Sequence, residues 1–192
     1  MKTNNLYKPI KTTFSKMFYK IKVKDYVDLS PDLFDGDLNG SIKEQLTRNY
    51  ADKTTEELGL VITIIEVNSV GEGFKLPEDP SRHYVVEFTV LAYKPELHEV
   101  IEGEVTSVTN FGVFVSMGVI EGLVHLSQTM ADQVSFSNTG MIQGAESGQT
   151  LKAGDIVKAS VAAVSFKDIR NVKVGLTMRQ PGLGANEWAH GE

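Results

Sequence analysis

The chain contains no cysteine, a single tryptophan and only six prolines among its 192 residues. Without cysteine it cannot form a disulfide or hold zinc or an iron–sulfur cluster through thiolates, and we expect a cytoplasmic protein. The longest apolar run, near Leu60 to Ile65, is far shorter than the ~20 residues that a membrane-spanning helix needs. A hydrophobic share of 41% and a charged share of 23% are ordinary for a globular protein, so we expect no membrane partner.

Motifs for catalysis and for cofactor binding are also missing. Gly71-x-Gly73 lacks the third glycine and the following helix of a dinucleotide site, and the sequence has no Gly-Lys-Ser/Thr phosphate loop. No motif of a catalytic nucleophile occurs. The histidines are scattered without metal-ligand spacing: His83, His98, His125 and His190. We therefore expect no cofactor, no metal and no active site.

Charge is distributed unevenly within a net charge of -6. Residues 1–24 carry seven lysines and no acid, whereas residues 25–95 and 96–192 are both acidic. Phosphates would be repelled by such a body, so strong binding through counterion release is not expected. The basic residues of the last segment nevertheless cluster in its C-terminal part: Lys152, Lys158, Lys167, Arg170, Lys173 and Arg179. This cluster is either a local RNA-facing stripe or a solvated strand edge that discourages aggregation.

Three consecutive short strands are predicted in the second half of the chain. Apolar and polar residues roughly alternate from Ile101 to Val108, as in a strand with one face in a core. The pattern continues over Phe111 to Val115, where Phe114 points away from the core. A third strand begins over Leu123 to Leu126 and places His125 between two apolar neighbours.

If these strands are adjacent, Phe111, Phe114 and His125 lie close together on one exposed surface. Unpaired bases stack on such rings, and each contact contributes about 1–3 kcal/mol. For any one ring the alternative is an ordinary core or surface position. The ordered set of three favours a face that binds single-stranded nucleic acid.

The first half of the chain is predicted to form a separate α+β unit. Ile42, Leu46 and Tyr50 repeat every four residues, which is the stripe of an amphipathic helix. Strands are predicted on either side of this helix: Phe18 to Val27, Gly59 to Val67 and Tyr84 to Tyr93. A three-stranded antiparallel sheet covered by one helix would bury both apolar faces.

Two further segments of this half have open interpretations. The loop from Gly71 to His83 exceeds the usual hairpin length, and it is either a shaped tip that docks into another protein or a mobile surface loop. Residues 1–16 are predicted to be a basic, flexible extension. They are either an arm that touches nucleic acid or a segment upstream of a natural start at Met17.

The stretch from about Leu97 to Gln180 resembles the OB-type RNA-binding domain first described in the ribosomal protein S-one. The resemblance rests on Phe111-Gly112-Val113-Phe114-Val115, on Gly122-Leu123-Val124-His125-Leu126-Ser127 and on Gly154-Asp155-Ile156-Val157. It implies an all-β, five-stranded barrel. Where such domains commonly carry an aspartate after the fourth strand, this chain has Ser165, so one polar contact to RNA is missing.

The whole chain from about residue 17 to residue 190 resembles the stalk subunit of archaeal RNA polymerase, the counterpart of the seventh subunit of RNA polymerase II. The discriminating residues are the Gly-Glu-Gly loop and the ending Leu176-Thr177-Met178-Arg179-Gln180-Pro181, with Leu183-Gly184 and Glu187-Trp188. The resemblance implies a tip domain over residues 17–95 and an RNA-binding barrel over residues 96–192. Phosphodiester formation would belong to other subunits.

The same resemblance implies three partners: the RNA polymerase core subunits, a small helical stalk subunit and nascent single-stranded RNA. It assigns Gly71, Glu72 and Gly73 to the tip that docks on the core. It also implies that five further residues face RNA, and the interpretation of the basic cluster as a stripe adds Lys167 and Lys173 to these five. The five are Phe111, Phe114, His125, Lys158 and Arg179.

Two alternatives to this interpretation stay open. An RNA-binding cap of an exosome-like degradation complex also joins a small N-terminal domain to such a barrel, although the Met-Arg-Gln-Pro ending argues against it. A nuclease with an appended barrel would need an acidic metal cluster, and the carboxylates of the first 95 residues are dispersed.

Overall fold

The structure is a computed structural model that describes residues 10–15, 17–33, 36–137, 140–168 and 172–190. The chain divides into two compact units, Met1–Lys94 and Pro95–Glu192. The boundary predicted from the sequence lies between residues 95 and 96. Of the predicted basic extension, residues 1–9 and 16 lie outside the described residues, whereas residues 10–15 form a strand. Arg170 of the predicted basic cluster also lies outside the described residues.

The N-terminal unit is a six-stranded antiparallel sheet with one helix against it. Its strands follow the order β1-β2-β6-β4-β3, with β5 paired to β6. The predicted three-stranded core is confirmed as β2, β6 and β4, while three short flanking strands were not predicted. The elements are β1 Ile10–Ser15, β2 Phe18–Leu29, α1 Leu38–Tyr50, β3 Thr54–Thr55, β4 Gly59–Val70, β5 Phe74–Lys75 and β6 Arg82–Tyr93.

Helix α1 covers one face of this sheet with the predicted apolar stripe. The carboxylate of Asp37 caps its start by accepting a hydrogen bond from the Asn39 amide at 3.1 Å. Ile42 and Leu46 are fully buried, and the Tyr50 ring packs edge-on against Phe88 at 5.2 Å. The Tyr50 hydroxyl also donates to Asp25, and burial together with this carboxylate raises the pKa of the tyrosine well above its usual value.

Strand β4 contains the adjacent apolar pairs Val61-Ile62 and Ile64-Ile65, and its bulges explain this departure from strict alternation. Its register against β6 shifts three times, between Val61 and Thr63, between Ile64 and Glu66, and between Val67 and Ser69. Each bulge inserts an extra residue and turns the following side chains relative to the sheet. Val61 and Ile64 are therefore both buried although they are three residues apart.

The C-terminal unit contains the predicted five-stranded barrel. Its strands follow the order β14-β9-β8-β7-β13, and pairing of β14 with β13 closes the barrel. β14 runs parallel to β9, whereas the other barrel pairs are antiparallel. The strands of this unit are β7 Val100–Val108, β8 Gly112–Ser116, β9 Glu121–His125, β10 Val134–Ser137, β11 Met141–Gly144, β12 Thr150–Lys152, β13 Ile156–Ser165, β14 Lys173–Thr177 and β15 Gly184–Ala185.

A small three-stranded sheet, β10-β11-β12, lies in the chain between β9 and β13 and was not predicted. Asp132 fixes its connecting turn by accepting hydrogen bonds from the amides of Glu146 and Ser147, at 3.0 and 2.9 Å, and from the Ser147 hydroxyl at 2.9 Å. These donors, the Ser147 amide first, lower the pKa of Asp132. Strands of three or four residues carry too little alternation to be seen in the sequence.

Candidate nucleic-acid interface and docking surface

The three predicted stacking residues lie together on one face of the barrel. Gly112 is opposite His125 in the β8–β9 ladder, so Phe114, two residues further along β8, shares the face of His125. Phe111 directly precedes β8 and is 49% exposed. The rings of Phe111 and Phe114 are 6.0 Å apart and nearly perpendicular, at 89°. We call Phe111, Phe114 and His125 the aromatic platform.

His125 is oriented by the residue two positions later. Its Nδ1 accepts a hydrogen bond from the Ser127 amide at 3.3 Å and lies 2.9 Å from the Ser127 hydroxyl oxygen. Because an amide can donate only to an unprotonated Nδ1, the neutral ring carries its proton on Nε2. The exposed ring therefore has a donor available for a phosphate or a base edge.

The four predicted cations do not form one continuous stripe. Lys158 lies near the start of β13, whereas Lys173 is opposite Ser165 at the end of that strand. Seven residues at ~3.3 Å each put these positions about 23 Å apart along the strand. Lys167 is exposed beyond the end of β13. Arg179 lies beside the platform, with its Nη1 3.5 Å from the carbonyl oxygen of Ser127.

Gly71, Glu72 and Gly73 lie along the edge of the sheet rather than at the apex of the loop. They connect β4 to β5, and both strands pair with β6. The Gly71 amide donates to the Val85 carbonyl at 2.8 Å. A Cβ at Gly73 would lie 2.6 Å from the Tyr84 ring, so only glycine fits there. The loop that remains between β5 and β6 is residues 76–81.

An exposed apolar cluster, which was not predicted, borders this segment. Tyr26, Phe74 and Leu76 are 50%, 41% and 48% exposed, respectively. The Tyr26 ring meets the Phe74 ring edge-on at 6.4 Å, and Phe74 stacks on His83 at 5.6 Å. We call these four residues the tip cluster. The sequence does not predict a role for Tyr26, because this residue is distant in the chain and reaches the loop only through the pairing of β2 with β6.

Asp79 holds the loop of residues 76–81, here called the tip loop, in place. Its carboxylate accepts a hydrogen bond from the Ser81 amide at 2.8 Å and contacts Nε2 of His83 at 2.9 Å. The Ser81 amide is the largest of the contributions that lower the pKa of Asp79, and His83 adds to it. The histidine of the tip cluster thus has a carboxylate partner.

Two negative findings hold for the described part of the chain. No group of three histidine or carboxylate side chains is arranged to hold a metal ion there. Helices of a length and hydropathy suited to crossing a membrane are likewise absent from it.

Comparison with known proteins matches both units. Residues 94–174 match the S1 RNA binding domain, and residues 24–80 match the SHS2 domain found in the N terminus of Rpb7p and Rpc25p. The chain is 37% identical to DNA-directed RNA polymerase subunit Rpo7 of Sulfolobus acidocaldarius, over 92% of this chain and 97% of that protein. It is 39% identical to Rpo7 of Saccharolobus shibatae, over 90% and 97%. RNA polymerase III subunit RPC8 of Saccharomyces cerevisiae is 34% identical, over 59% of this chain and 54% of that protein.

Proposed function

This chain belongs to the Rpo7 family of DNA-directed RNA polymerase subunits, and on that premise we propose that it is a non-catalytic stalk subunit that guides emerging RNA. One observation carries the proposal: the similarity to Rpo7 spans 92% of the chain and so includes both units. A barrel of the S1 type alone would not distinguish a polymerase subunit from other RNA-binding proteins. The exosome-cap alternative is accordingly less supported.

The aromatic platform is proposed to contact single-stranded RNA. Its two phenylalanine rings are perpendicular, so bases can stack on Phe111 and Phe114 in different orientations. His125 adds an Nε2 donor at the same face. Because the unit is acidic overall, these contacts would be weak in a free chain. Attachment to a polymerase raises the effective concentration of RNA and compensates for this weakness.

The tip cluster is proposed to be part of the surface that docks on the polymerase core, next to the predicted Gly71, Glu72 and Gly73. Exposed aromatic and aliphatic side chains at one place are typical of protein–protein contacts. A cavity of about 290 Å³ lies in the same unit and is lined by Leu29, Ser30, Pro31, Lys75, Pro80, Arg82 and Tyr84. It could receive a side chain of the core.

The remaining expectations about partners belong to the same proposal. A small helical stalk subunit is expected to pair with this chain, and the polymerase that contains both is expected in the cytoplasm. Phosphodiester formation is assigned to other subunits. The support for these points is membership of the family.

Affinity purification of the tagged full chain from its native host, followed by mass spectrometry, tests the proposal. We expect the large polymerase subunits and one small helical subunit to copurify. Replacing Phe74 and Tyr26 together by alanine should lower the recovery of core subunits about tenfold or more, because the loss of even one hot-spot aromatic costs about 2 kcal/mol.

The matched control is Phe136→Ala, which removes an exposed aromatic ring from the other unit. It should leave the recovery of core subunits unchanged. Copurification of exosome subunits without polymerase would refute the proposed function.

A further inference from the structure

The C-terminal unit contains a cavity of about 450 Å³ that the aromatic platform does not use. The segment after β14 forms one wall, and β13 together with residues near β12 forms another. Its volume lies within the ~300–1,000 Å³ typical of small-molecule sites. The lining residues are Met130, Ala131, Gln149, Lys158, Met178, Arg179, Gln180, Pro181, Gly182, Leu183, Gly184, Ala185, Asn186 and Trp188.

The charge of this lining is opposite to the charge of the unit. Residues 96–192 carry eleven acidic and six basic side chains, yet the described residues that line the cavity include two lysine or arginine side chains and no carboxylate. Among the described residues, neither Lys158 nor Arg179 forms a salt bridge. The nearest carboxylate in the ladder is Glu102, which lies opposite Lys158 on β7 but outside the lining. Two cations at one cavity, with no salt bridge to either of them among the described residues, favour an anionic ligand.

The cavity also offers a flat ring and several amides. The indole of Trp188 is held by a hydrogen bond from its Nε1 to the Thr150 carbonyl at 3.1 Å. Gly184, with a φ of +117°, lets the ring approach, since a Cβ there would collide with the Trp188 indole. Gln149, Gln180 and Asn186 add side-chain amides that can both donate and accept hydrogen bonds. An aromatic surface, amides and cations together suit a nucleotide: a base, its edge and a phosphate.

Arg179 joins this cavity to the aromatic platform. Its guanidinium lies 3.5 Å from the carbonyl of Ser127, the residue that orients His125. The segment that carries Arg179 is anchored to the same place, because the Met178 amide donates to the Gln128 carbonyl at 2.8 Å. A strand of RNA that leaves His125 would therefore meet Arg179 next.

We propose that this cavity, bounded by Lys158, Arg179 and Trp188, binds one nucleotide of the single-stranded RNA that occupies the aromatic platform. The proposal rests on the proposed function, because it extends the path of the same RNA. Lys158 and Arg179 contact phosphate, and the base lies against Trp188. The cavity thus adds a nucleotide position beyond the stacking face.

The single tryptophan of the chain provides a direct measurement, because Trp188 itself lines the cavity. The full chain is titrated with a ten-nucleotide oligouridylate while tryptophan emission is followed, and overall binding is followed in parallel by anisotropy of a labelled copy. We expect saturable quenching with the same midpoint as the anisotropy change. In K158Q and R179Q, the midpoint should rise about tenfold for each variant, since a charged hydrogen bond contributes that much.

The salt dependence gives a second measurement. Each lost phosphate contact should reduce the slope of log affinity against log salt by about 0.7. Lys53→Gln removes an exposed lysine from the N-terminal unit and should change neither the midpoint nor the slope. Circular dichroism checks that each variant is folded.

The remaining outcomes separate this inference from the function on which it rests. Binding seen by anisotropy without a change in tryptophan emission would overturn the cavity and leave the RNA-binding stalk intact. Absence of RNA binding by either measurement would overturn both. Quenching by uridine monophosphate but not by the oligonucleotide would show a site for free nucleotides and would also overturn the proposal.

Discussion

Each unit of this chain presents two aromatic rings and a histidine at its surface, yet the two groups are built differently. In the tip cluster, Phe74 stacks on His83, and this histidine contacts Asp79. In the aromatic platform, the phenylalanine rings meet edge to face, and His125 is held by the neutral Ser127. One face of Phe74 is thus covered by His83, whereas Phe111 and Phe114 meet only edge to face.

This difference fits the two proposed roles, protein docking for the tip cluster and nucleic-acid binding for the aromatic platform. A ring that is already stacked cannot accept a base on that face, and the carboxylate of Asp79 would repel phosphate. A ring face that is not covered can accept a base. Composition alone does not distinguish the two groups, because what differs is which ring faces are already occupied and which charge is adjacent.

The largest effect on RNA affinity is expected when two rings of the aromatic platform are removed. Replacing Phe114 and His125 together by alanine should weaken binding of single-stranded RNA at least about 30-fold, because two stacking contacts of about 1–3 kcal/mol each are lost. Fluorescence anisotropy measures this change. The matched variant Phe74→Ala should leave RNA affinity unchanged, and a similar loss there would show that the tip cluster also binds RNA.

A smaller effect, on stability, is expected when Gly73 is replaced by a larger residue. Gly73→Val would place a side chain against the Tyr84 ring, and overpacking of this kind costs about 1–3 kcal/mol. The midpoint of thermal unfolding of the N-terminal unit should fall, while RNA affinity should stay the same. Glu72→Val, at the exposed neighbouring position, is the control and should have little effect on stability.

The smallest effect is expected from the titration of Asp79, the carboxylate that contacts the histidine of the tip cluster. The pKa of Asp79 is lowered in the fold. Its ionised form therefore stabilises the folded N-terminal unit fully at pH values above the ordinary aspartate pKa of 3.8. This contribution is lost as the pH falls through the lowered folded pKa. The amide resonance of Ser81, which donates to Asp79, should titrate with a midpoint below 3.8.

Asp79→Asn should remove this titration, whereas Glu78→Gln, at an exposed neighbour, should preserve it. A Ser81 midpoint at or above the ordinary aspartate value would show that the carboxylate is not held in the folded tip.

The sequence predicted the elements whose periodicity is long and regular. The helical stripe of Ile42, Leu46 and Tyr50 and the alternation along Ile101 to Val108 both identified real elements, because burial of one face requires such patterns. The five-stranded barrel followed from the motifs of its second and third strands, and the alternation along those strands grouped the stacking rings. Strands of two to four residues were missed, since they are too short to show a period.

Pairing between segments that are distant in the chain could not be predicted from the sequence either. Tyr26 joins Phe74 only because β2 and β5 both flank the end of β6. The sequence leaves open whether the basic cluster is a stripe or a solvated strand edge, and it does not show that the length of β13 separates Lys158 from Lys173. Trp188 belongs to the ending that resembles the family, whereas its place at a cavity depends on contacts with Thr150 and Gly184 that no local pattern encodes.

The uninterrupted pairing of β2 with β6 has a mechanical consequence. Their register runs without a shift from Phe18 opposite Tyr93 to Leu29 opposite Arg82, whereas β4 is bulged three times against the same strand. If the Leu29 end of β2 were pulled while the Tyr93 end of β6 was held, all hydrogen bonds of this ladder would be loaded in shear and would have to break together. On the bulged side, the same load could be released in short segments. The β2–β6 ladder is thus expected to resist such a load better than the bulged β4–β6 ladder.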